Sequence, residues 1–314
     1  MIEWTIVAEG LRFPEGPVTL PDGSVVLVEI AAGRITRVWP HGRKETVAEP
    51  GGGPNGLAIG PDGKLYCCNN GGFGWIDEGG HLRPHGTAAD YDGGRIERID
   101  LATGAVETLY RDGDFGCVLR GPNDIVFDRE GGFWFSDHGK TAERSRDLTG
   151  LFYARADGSL LVEAVHPLES PNGIALSPDG RTLYAAETFT CRLWAWPVEG
   201  PGKLGAGVPL HRPAGFKFFD SMGVEANGNI CVATIGESGI SVIAPSGAPV
   251  EFVPTPDLFT TNIAWGGGDL RTAWVTLSSS GRLARAEWPR PGLRLAYQEA
   301  GGTEPIPMRD GGQQ

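Results

Sequence analysis

One short pattern returns six times along this 314-residue chain, and it limits the possible folds more than any other feature. The first copy is Phe13-Pro14-Glu15-Gly16-Pro17, running through apolar residues to Pro21-Asp22-Gly23. Gly53-Pro54-Asn55-Gly56, Gly121-Pro122-Asn123-Asp124, Ser170-Pro171-Asn172-Gly173 and Phe219-Asp220-Ser221-Met222 open the next four copies. Thr261-Asn262-Ile263 opens the sixth. Aligned on the opening polar residue, the series reads Glu15, Asn55, Asn123, Asn172, Asp220, Asn262. In the first five copies a glycine follows at one offset, as Gly23, Gly63, Gly131, Gly180 and Gly228. A fixed offset of this kind is the trace of one supersecondary unit used repeatedly. The sixth copy lacks that glycine, so its register is less sharply set.

Each turn glycine is followed by a short β-rich run, such as Val25-Val26-Leu27-Val28 or Phe133-Trp134-Phe135, so each unit opens with a hairpin. Third and fourth strands read at 33–39 and 43–48, at 94–100 and 105–110, and at 150–154 and 159–162. Six units of four antiparallel strands predict one all-β domain over residues 1–314, a six-bladed β-propeller. Residues 5–8 are expected to close the ring as the outer strand of the last blade, beside 282–286 or 293–296. Residues 71–93 form an insertion in blade two, either a solvated connector or a lid over the site. Residues 303–314 read as a polar tail that frays.

The net charge of −12 disfavours nucleic acid and anionic membrane, which are bound by neutralising phosphates with Lys and Arg. No stretch is apolar enough to span a bilayer, and the N-terminus lacks the pattern of a signal peptide. Five cysteines without a C-x-x-C spacing read as structural thiols in a reducing, cytoplasmic compartment. The expected assembly is a monomer or small homo-oligomer.

In a propeller the first strand of every unit lines the central channel, so the six opening residues converge at one mouth. The second strands end just outside them, near Asn70, His138 and Glu187. Two carboxylates (Glu15, Asp220) balance one divalent cation, and the amides of Asn55, Asn123, Asn172 and Asn262 add oxygen ligands without more charge. An all-oxygen set favours Ca²⁺, with Mg²⁺ or Mn²⁺ also compatible, while Zn²⁺ fits less well. Pro-Asn-Gly taken singly is an ordinary turn. That explanation does not predict carboxylates at the same repeat position, nor Asp220 outside any Pro-Asn-Gly context.

The Glu15 motif, Pro122-Asn123-Asp124, Ser170-Pro171-Asn172-Gly173 and the Asp220 segment together resemble the metal-site motifs of the senescence marker protein (regucalcin)/gluconolactonase family, from Glu15 to about Trp274. The resemblance implies a six-bladed propeller with one catalytic divalent metal in the channel. Glu15, Asn172 and Asp220 match the family's core ligands, and Asn123 matches an Asn that binds metal or substrate. The related diisopropyl fluorophosphatases use a similar Glu, Asn, Asn, Asp set. Sugar-lactone members often carry an Arg near the blade-three Asn. Here Gly121 and Pro122 precede Asn123, and Arg120 lies further back.

The implied reaction is hydrolysis of a small lactone, most simply a sugar-acid lactone, with the cation polarising the carbonyl. Asp220 is the expected base as well as a ligand. His138 is the alternative base or leaving-group acid, because imidazole titrates near neutrality. Asn55, Asn70, Asn123, Glu187 and Asn262 are the candidate substrate hydrogen-bonders. His81, His85 and His166 read as solvated loop residues, and Trp75 as either packing or a cover for the ligand. The absence of G-x-S-x-G and H-E-x-x-H speaks against a serine hydrolase or a zincin. Two other readings stay open: a phosphotriester or aryl-ester hydrolase, and a non-enzymatic calcium-binding propeller.

Overall fold

The computed structural model describes residues 2–301, so the expectation of a frayed tail at 303–314 lies outside the described residues. Six small antiparallel sheets carry the chain. Blade one is Pro14–Thr19, Val25–Glu29, Arg34–Val38 and Lys44–Ala48, each strand pairing with the next. Blades two, three, four and five start from inner strands Pro54–Ile59, Pro122–Phe127, Pro171–Leu176 and Phe218–Val224. In blade four the long third strand Arg192–Gly200 pairs with two short segments, Lys203–Leu204 and Val208–His211, in place of one fourth strand.

Blade six contains Thr260–Gly266, Thr272–Leu277 and Arg282–Glu287, and its outer strand is the N-terminal Thr5–Ala8. Thr5 stands opposite Arg285 and Ala8 opposite Leu283, so the ring closes on 282–287. The other expected partner, 293–296, lies across the far end of the channel. There Gln298 donates to the Thr19 hydroxyl and the Trp265 carbonyl, both at 2.9 Å. One end of the channel is thereby covered and the other left for a site.

The turn glycines adopt the conformation that the repeat demands. Gly23, Gly63, Gly131, Gly180 and Gly228 all have positive φ, between 71° and 93°, which side-chain-bearing residues resist. Second strands such as Val25–Glu29 and Gly132–Asp137 are fully buried, and adjacent blades pack aromatic and β-branched faces together. Cys67, Cys68, Cys117, Cys191 and Cys231 are all buried and free.

Candidate active site

Each inner strand breaks its pairing register at the repeated motif. Pro14 pairs with Glu29, Pro54 with Asn69, Pro122 with Asp137, Pro171 with Glu187 and Phe219 with Thr234, and the ladder then slips before it resumes. A bulge of this kind re-aims side chains at a sheet end. It turns Glu15, Asn55, Asn123, Asn172 and Asp220 onto one cavity of about 430 Å³, which His138 also lines.

The sixth copy shifts by one residue. Thr260 pairs with Leu277 and Asn262 with Thr276, so Thr261, not Asn262, stands in register with Glu15. Asn262 corresponds instead to Asp124, and both use a side-chain oxygen to accept the next backbone N–H, Ile263 and Ile125 respectively. Asn262 faces the channel below the cavity and donates to Glu15 Oε2 at 2.8 Å. It therefore orients Glu15 and does not line the cavity.

Glu187 and Asn70 are also placed apart from the cavity. Glu187 accepts from the Glu169 N–H (2.8 Å), the Thr190 hydroxyl and the Trp194 indole (2.9 Å). Asp137 does the same work in blade three, accepting from the N–H groups of Arg120, Gly121 and Gly139. Carboxylates at the ends of second strands thus latch the chain entering the inner strand in blades one, three and four. Asn70 accepts from the Gly72 N–H at 2.8 Å and from Lys140 Nζ at 3.2 Å.

The insertion is a hairpin, Phe73–Glu78 with His81–Thr87. Leu82 N–H donates to the Ser279 carbonyl at 2.9 Å, and Trp75 packs on Phe13 with ring centroids 5.0 Å apart. Phe73, Pro84, His85 and Gly86 line the cavity, so the insertion forms one of its walls. His85 is exposed to solvent, as expected, and also lines the cavity. His81 bonds Ser279 Oγ at 3.2 Å, and His166 lies exposed on the outer strand Leu161–Leu168. Trp75 holds the hairpin in place and is not itself among the cavity-lining residues.

The electrostatics of the floor are distinctive. Glu15, Asp124 and Asp220 are buried, and none forms an ion pair with a described basic residue. Burial raises the Glu15 carboxyl above its usual range, against hydrogen bonds from Asn262, Gly16 and Thr261. Burial and then the Glu15 charge push Asp220 well up and Asp124 to about 8. Two acceptor oxygens, Glu15 Oε1 and Asn123 Oδ1, are buried without a hydrogen-bond partner. Buried acceptors are rarely left so, and crowded carboxylates without a counter-charge are costly. A divalent cation answers both problems. Among the described residues no three His, Cys, Asp or Glu side chains form a metal-binding group by themselves, so amide oxygens must complete the shell. The Asn172 amide nitrogen donates to the Thr188 hydroxyl at 3.1 Å, and its Oδ1, on the same floor, accepts a long 3.5 Å bond from Ser221 Oγ.

His138 lines the cavity, and its Nδ1 is buried without a hydrogen-bond partner. Burial, helped by the charges of Arg146 and Lys140, lowers this imidazole to about 4, so it is neutral at neutral pH.

A six-bladed propeller with an oxygen-lined, acidic floor at the open mouth of its channel defines a class of channel-site proteins. The chain belongs to the SMP-30/gluconolactonase/LRE-like family, whose model matches residues 13–279. It is 28% identical over 276 residues to the gluconolactonase of Zymomonas mobilis, covering 77% of this chain and 69% of that protein. It is 28% identical over 254 residues to the lactonase drp35 of Staphylococcus epidermidis, covering 79% and 69%. The fold superposes on a gluconolactonase of Xanthomonas campestris with a TM-score of 0.72 at 21% identity, over 92% of this chain and 90% of the other.

Proposed function

We propose that this protein is a metal-dependent lactonase that opens the ring of a small lactone, with a divalent cation held by Glu15, Asn123, Asn172 and Asp220. The observation that carries this reading is the buried, unpaired acidic floor with two orphaned acceptor oxygens. Family membership, and relatives named as gluconolactonase and lactonase, support the reaction class. An all-oxygen shell of two carboxylates and two amides suits Ca²⁺ best; Mg²⁺, Mn²⁺ and Zn²⁺ rank below it.

When bound, the cation supplies Lewis acidity at the lactone carbonyl and makes water easier to deprotonate. The chain's own groups do the rest. Asn55 and Asn123 offer amide donors to the substrate at the floor. Asp220 takes the proton of the attacking water. His138 Nδ1 is the second acceptor in reach of the cavity, and its neutral state at pH 7 leaves it free to accept. The hairpin wall limits bulk water above the reacting ring. The substrate is a small molecule, not nucleic acid, in keeping with the acidic chain. No helix of the described residues is long and apolar enough to cross a membrane. Five buried free thiols support a reducing, cytoplasmic setting.

The test is acid release from a panel of γ- and δ-lactones by metal-stripped protein, with Ca²⁺, Mg²⁺, Mn²⁺ and Zn²⁺ added back singly and Asp220→Ala as control. Restored turnover that the variant lacks supports the reading. A second reading, aryl-ester or phosphotriester hydrolysis, is favoured by the aromatic walls described below. Turnover of such esters but of no lactone would select it. Tight cation binding without any turnover would select a binding propeller.

A further inference from the structure

We infer that the substrate carries an apolar aromatic or alkyl substituent, not the hydroxyls of a sugar-acid lactone, and that Phe189 and Phe218 select it. This rests on the lactonase reading above. The cavity is divided by polarity. Its acidic and amide groups lie on the floor, whereas Phe13, Phe73, Phe189, Phe218 and Phe259 form the walls. Four of these rings make two pairs. Phe13 and Phe259, with centroids 6.3 Å apart, come from the seam of blades one and six. Phe189 and Phe218, 6.0 Å apart and edge to face, come from blades four and five.

Apart from His85 and His138 Nδ1, the polar side chains on the walls are already engaged. Arg146 donates through Nε to the Thr141 hydroxyl and through Nη1 to the Ser170 hydroxyl, both at 3.2 Å. Its guanidinium lies 3.4 Å over the Phe189 ring, and Glu169 is 3.8 Å away. The Thr188 hydroxyl accepts from Asn172. A polyol raised above the floor would face ring carbons, and each hydroxyl left without a partner loses the hydrogen bonds that water had given it. Phe189 and Phe218, by contrast, are each 36% exposed, so apolar surface waits at the mouth to be covered. The stacked guanidinium holds the Phe189 ring in position.

The experiment compares glucono-δ-lactone, γ-butyrolactone, and the γ-phenyl and γ-pentyl derivatives of γ-butyrolactone as substrates of the Ca²⁺-loaded protein, followed by pH-stat. The phenyl and pentyl compounds are expected to exceed glucono-δ-lactone in kcat/KM by tenfold or more. Phe189→Ala and Phe218→Ala are expected to bring the ratio of substituted to unsubstituted butyrolactone down about tenfold through KM, with Phe218→Leu retaining most of it. The wild-type ranking decides the matter even where an alanine variant folds poorly. Glucono-δ-lactone turned over as well as the phenyl compound overturns the inference and leaves the lactonase reading standing. Turnover of none of the four by protein with bound Ca²⁺ overturns both.

Discussion

Asn262 reaches across the seam between the last and first blades and donates its side-chain amide to Glu15 Oε2 at 2.8 Å. The same carboxylate's Oε1 is one of the two orphaned oxygens of the floor. Asn262 thus fixes which oxygen of Glu15 is presented. Partners that orient a metal ligand from behind change affinity by about 10–100-fold when removed. Asn262→Ala should weaken Ca²⁺ binding by that factor in calorimetric titration while the folded spectrum is kept. Unchanged affinity would mean that the Gly16 N–H and Thr261 suffice to hold Glu15.

Asp220 should separate stability from function. It is buried beside Glu15 and Asp124 and its carboxyl is raised by burial and their charges. Replacing it with Asn removes one crowded acid, so the metal-free variant should melt above metal-free wild type. The order should reverse in Ca²⁺, because wild type gains about 2.7 kcal/mol at a hundredfold excess over Kd and the variant binds weakly. Turnover of Asp220→Asn should fall to background.

The acid side of the stability profile should carry the signature of His138. In the fold its imidazole remains neutral down to about pH 4, against a normal value of 6.5. Between those values the unfolded chain binds the extra proton, so stability falls as pH drops from 6.5 toward 4. The loss is at most on the order of 3 kcal/mol, the side chain being half-buried. Denaturation midpoints of wild type and His138→Asn should converge over that window. Parallel profiles would refute the assignment.

Lys140 ties the hairpin to the loop that carries His138. Its ammonium donates to Asn70 Oδ1 at 3.2 Å and to the Gly72 carbonyl at 2.9 Å, and it lies over the rings of Phe73 and Tyr91. Lys140→Met removes both hydrogen bonds from the base of the insertion. Amide exchange across 73–87 should speed up at least tenfold, and KM should rise several-fold with little change in kcat. A change confined to kcat would place Lys140 in the chemistry instead.

Gly173 marks how tightly the inner strands converge. A Cβ there would lie 2.6 Å from the Asp220 carbonyl oxygen and 2.8 Å from the Met222 nitrogen, both backbone atoms that cannot turn aside. Gly173→Ala should cost about 3 kcal/mol in denaturant melts by forcing two blades apart. It should also weaken cation binding, since Asn172 and Asp220 flank the contact.

Much of the fold was legible because a propeller repeats its constraints. The turn glycines sit at positive φ, and the polar residues beside Pro14, Pro54, Pro122 and Pro171 sit at bulges, so one local geometry left one local signature. The same reasoning misled where the repeat changed length. The slip in blade six spans a single residue, which put Thr261 where Asn262 was expected. Glu187 shares a strand end with the site, and that position latches the entering chain in blades one, three and four.

The amino-acid sequence by itself determined the number of blades, the closure by Thr5–Ala8 and five of the six residues that open the inner strands, because those depend on local turns and period-two burial. Only the tertiary structure decided what surrounds them. Phe73, Phe189, His85 and Arg146 come from loops and from the insertion, with no shared spacing, whereas Phe13, Phe218 and Phe259 each stand two residues before Glu15, Asp220 and Thr261. The packing of the hairpin on Ser279 and Phe13 brings one wall to the channel mouth. Long-range contact, not local propensity, sets which side chains face a cavity. The acidic floor could therefore be read from its repeats, while the wall residues supplied by the insertion and the blade-four loop, Phe73 and Phe189, could not.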